Sequence, residues 1–82
     1  MNEGEILDLI EREVNARQPS NFRLSVDRRG VRHEGNWWYV VVQPDKTDIR
    51  ASDYNALMTQ VEDAIEAQTE NVNVLLVPAL PD

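Results

Sequence analysis

The amino-acid sequence predicts an α+β fold: a two-layer sandwich of order α-β-β-α-β, with two helices on one face of a three-stranded mixed sheet. Three observations carry that prediction. Apolar residues recur at the three-and-four spacing of a one-stripe helix between Glu3 and Arg17, and again between Ser52 and Thr69. Phe22-Arg23-Leu24-Ser25-Val26-Asp27 alternates strictly between apolar and polar, the period of a strand with one buried face. Two further runs, Asn36 to Gln43 and Val72 to Val77, are rich in β-branched residues. Each amphipathic helix needs an apolar surface to cover, and one sheet supplies both. The 82 residues make one small domain, 1–82, ending in a Pro-containing tail over 78–82.

In chain order, the first helix buries Ile6, Leu7, Leu9, Ile10 and Val14, and Asn2 caps it with Glu5 placed for a reciprocal capping box. Pro19 ends it, because the residue before a proline avoids helical geometry. Phe22, Leu24 and Val26 then face the core. The strand continues over Arg28 to His33 with Gly30 as a bulge or close-approach site, and His33-Glu34-Gly35-Asn36 reverses the chain. The next run is apolar on both faces, as a central strand requires.

Pro44 to Asp48 closes the hairpin. Ser52 or a neighbour caps the second helix, whose stripe is Tyr54, Leu57, Met58, Val61, Ala64 and Ile65 and which Asn71 terminates. Val72 to Val77 forms the third strand, and Pro78 and Pro81 keep the tail out of a central position. The strand-helix-strand connection makes strands two and three parallel with a right-handed crossover. The strand order follows as 1-2-3, with 2-1-3 as the other arrangement. A gap between strands two and three, filled by a partner strand, is a third.

Composition narrows the function classes. With no cysteine, the chain has no disulfide framework, thiolate metal site or Cys nucleophile, which fits a reducing compartment. The first residues lack a basic stretch followed by an apolar run, and no segment has 18 consecutive apolar residues, so the expected location is cytoplasmic and not in a membrane. The net charge of -7 hides a segregation: residues 1–16 carry -4, residues 17–33 carry +4 and residues 53–82 carry -6.

Strand alternation assigns the uncovered sheet face. Trp37, Tyr39 and Val41 from strand two and Leu75 and Val77 from strand three would lie there, with Arg23, Ser25, Asp27 and Arg29 from strand one. A one-residue slip would expose Trp38, Val40 and Val42 instead. Such a face is either shielded by arginine stems lying over the aromatics or is an interface, since Trp, Tyr and Arg are the residues that anchor interfaces. The expected function is a non-catalytic protein-interaction module, self-associating as a homodimer. Its anchors are Trp37, Tyr39, Val41 and Leu75, and Arg23, Arg28 and Arg29 steer an acidic partner.

The alternative is nucleic-acid or anionic-ligand binding by the Arg-rich hairpin. Aromatics beside arginines suit single-stranded RNA, but the Lys/Arg-Gly aromatic pattern is missing and the acidic helices repel phosphate. No cofactor, metal or catalytic residue is expected. His33 and Glu34 are neighbours in a strand or turn and point apart, and Asp45 and Asp48 lack the Gly turn and bidentate Glu of a calcium loop. The two aspartates are instead suited to the start of the second helix.

Overall fold

The computed structural model describes residues 2–19, 22–46, 49–70 and 72–79, with the side chains of residues 51 and 53 outside that description. Helix α1 (Glu3–Asn15) opens on the expected capping box: the Asn2 side chain accepts from the Glu5 N–H at 2.8 Å, and the Glu5 carboxylate accepts from the Asn2 N–H at 3.3 Å. The helix stops two residues short of the predicted Arg17. The Arg17 N–H reaches back only three residues to the Val14 carbonyl, and its guanidinium holds the Glu13 carbonyl and carboxylate.

Strand β1 (Leu24–Glu34) begins after Phe22, which is buried although it precedes the strand. A two-residue turn over Gly35 and Asn36 follows, with Gly35 at φ 59°, a left-handed conformation open to glycine. Strand β2 (Trp37–Pro44) lies between β1, which it pairs antiparallel, and strand β3 (Asn73–Pro78), which it pairs parallel. The order is therefore β1-β2-β3, and no gap separates β2 from β3.

Helix α2 (Ala51–Gln68) departs from the sequence reading at its start. Ser52 lies inside it, and Arg50 takes the N-cap position without a side-chain capping hydrogen bond. The Asp45 carboxylate, expected near this helix, instead accepts from the Arg23 N–H at 2.9 Å and ties the loop to β1, while Asp48 lies outside the described residues. At the other end the Thr69 hydroxyl and the Gln68 amide donate to the Ile65 and Ala64 carbonyls, satisfying two of the terminal acceptors. Asn71, the expected terminator, is also outside the described residues.

A single buried cluster joins the α1 stripe, the α2 stripe and one face of the sheet. From β2 it takes Trp38, Val40 and Val42, and from β3 Val74 and Leu76, always alternate residues. Both helices therefore cover the same face. The Arg12 and Gln68 side chains bond each other across α1 and α2, and Gln68 also donates to the Glu13 carboxylate at 2.8 Å.

Each outer edge of the sheet is held at one point by a side chain. The Asp45 N–H donates to the Arg23 carbonyl, so at period two Leu24 turns its backbone outward. The Gln18 amide meets both groups there, donating to the Leu24 carbonyl at 2.7 Å and accepting from its N–H at 2.9 Å. On β3, the Asn73 and Ala79 N–H groups donate to the Asn36 and Val42 carbonyls, so Val74, Leu76 and Pro78 face outward. The Glu62 carboxylate takes the Leu76 N–H at 2.9 Å, and Pro78 has no donor to offer. Pro78 is thus accommodated as the last residue of an edge strand rather than excluded from the sheet.

Candidate interaction surface

The uncovered face is set by β2 and β3 and then altered by β1. Trp37, Leu75 and Val77 stand out to solvent at 43%, 42% and 38% exposure, while Trp38, the alternative outward residue, keeps only 6%. Tyr39 and Val41 are half-buried. The Trp37 and Tyr39 rings stack with centroids 6.3 Å apart and planes 21° from parallel. Leu75 lies beside Tyr39 and Val77 beside Val41 across the parallel ladder. The five apolar side chains are therefore contiguous.

On β1, pairing passes from Asp27 opposite Val41 directly to Val31 opposite Val40. Arg28, Arg29 and Gly30 form an insertion with no partner on β2. An odd number of extra residues inverts which residues face outward. Before the bulge Leu24 and Val26 point to the core; after it Val31 and His33 do, and Arg32 and Glu34 join the open face opposite Tyr39 and Trp37. Sequence alternation missed these two residues because it was carried through the bulge without counting its length. The break at Arg28-Arg29-Gly30 was the available signal. Arg32 and Glu34 form an ion pair at 2.8 Å.

The bulge is held from both ends. The Asp27 carboxylate accepts from the Arg29 N–H at 3.0 Å, the local turn that aspartate favours. Gly30 lies directly over Val41, where an added Cβ would stand 2.7 Å from its Cγ2. Beside Gly30 is a concavity of about 280 Å³, open to solvent and lined by Gly30, Arg32, Glu34, Tyr39, Val41 and Val77.

The three arginines expected to steer a partner are not brought together. Arg23 precedes β1 at the end of the sheet away from Trp37. Arg29, on the bulge, is 97% exposed, with Asp27 at 3.9 Å as a distant ion-pair partner. Arg28 is turned to the helix side, as the even-residue series of Leu24 and Val26 requires. Its guanidinium bonds Asp8 at 2.6 Å and Glu11 at 2.8 Å, two carboxylates one turn apart on α1. These hydrogen bonds, Glu11 first, push its pKa up, and they spend the charge inside the molecule.

His33 also lies on the helix side, stacked on Trp38 with centroids 3.7 Å apart and planes within 7°. Its sequence neighbour Glu34 is on the opposite face, so the two do not converge. Among the described residues no three His, Cys, Asp or Glu side chains gather in a way that could hold a metal ion, and no helix is long and apolar enough to cross a membrane. The chain matches no family model, no curated protein and no solved structure.

Proposed function

We propose that this chain is a cytoplasmic, non-catalytic protein-interaction module that self-associates through its open sheet face. The observation that carries the reading is the contiguous apolar patch of Trp37, Tyr39, Val41, Leu75 and Val77 on the face opposite the helices. Contiguous exposed apolar area on a small protein marks a contact surface, and Trp and Tyr are its usual anchors. The shielding account asks arginine stems to lie across these rings, but Arg28 is bonded to α1, and Trp37, Leu75 and Val77 keep their exposure beside the Arg32–Glu34 pair. The same pairings weigh against the anionic-ligand reading, since Arg28 and Arg32 are bonded to carboxylates and the exposed Arg23 and Arg29 lie at separate places, one before β1 and one on the bulge.

Rungs about 6.8 Å apart on strands about 4.8 Å apart give each position about 33 Å², so the five apolar residues cover on the order of 160 Å² per copy, well under the roughly 800 Å² per partner of a standard protein–protein interface. The expected association is weak and reversible. Sedimentation equilibrium from about 10 µM to 1 mM tests it, comparing the natural chain with a Trp37→Ser/Tyr39→Ser variant. Concentration-dependent dimerisation lost in the variant supports the reading. A natural chain that stays monomeric across the range removes it, and salt-sensitive binding of a single-stranded oligonucleotide, abolished by Arg29→Ala, would favour the competing class.

A further inference from the structure

We draw no further inference here: the strongest candidate, the hollow beside Gly30 on the open sheet face, belongs to the apolar surface already described, and with its two charged lining groups, Arg32 and Glu34, paired to each other, nothing in the structure shows what covers it.

Discussion

Gly30→Ala isolates the close approach that shapes the open face. The new Cβ would sit 2.7 Å from Val41 Cγ2 and 2.8 Å from Val41 Cβ, where carbon atoms rest at about 3.5–4.0 Å. Nearly an ångström of movement is required. Val41 cannot supply it freely, because its strand is paired to Asp27 on one side and Val77 on the other. The φ of Gly30 is not positive, so the penalty is one of space and not of backbone conformation. Overpacking of this kind costs about 1–3 kcal/mol. At roughly 4–8 °C per kcal/mol for a domain of this size, the melting temperature should fall visibly.

Urea unfolding of the four members of a Gly30→Ala, Val41→Ala cycle separates the cause. Val41→Ala removes the nearer of the two collisions and leaves the Cβ, so it should relieve part of the Gly30→Ala loss, with a coupling of at least about 0.5 kcal/mol. A Gly30→Ala protein as stable as the natural chain, or two losses that simply add, would refute the close approach.

Two further outcomes follow from side-chain contacts. Glu62→Ala leaves the Leu76 N–H without its acceptor and should lower stability by about 1–3 kcal/mol, with faster hydrogen exchange at that amide; unchanged exchange would show that the edge is not held by Glu62. Glu13 accepts hydrogen bonds from Gln68 first and Arg17 second, which hold its pKa below the ordinary 4.5. Its contribution is therefore complete above about pH 4.5, where the unfolded chain is already ionised, and is lost as pH falls through the lower folded value. The stability difference between the natural chain and Glu13→Gln should be constant near neutral pH and shrink in acid, and a difference independent of pH would contradict the assignment.

The elements were legible where a local signal and a tertiary need coincide. The Asn2 and Glu5 pair marks the start of α1, and the doubly apolar run at Trp37 marks the central strand, because short-range patterns encode caps and two-sided burial. The bulge was half legible. Gly30 marked its place, but periodicity carries no count of unpaired residues, so the outward turn of Arg32 and Glu34 appeared only with the register. Arg28 was open to a stricter reading, since its even position already set it on the helix side with Leu24 and Val26. The roles of Gln18 and Glu62 were not legible: each side chain reaches a backbone group on another element, and nothing within a few residues of either signals that contact.

The interruptions at the two edges also bear on how an assembly can grow. A sheet with unbroken ladders at its margins adds strands without limit, and its products lengthen as concentration rises. Here the amide of Gln18 stands at one margin and the carboxylate of Glu62 at the other, beside a proline that cannot donate. A strand added along either margin would have to displace one of these contacts, which raises the cost of edge-to-edge growth relative to a sheet with unbroken margins.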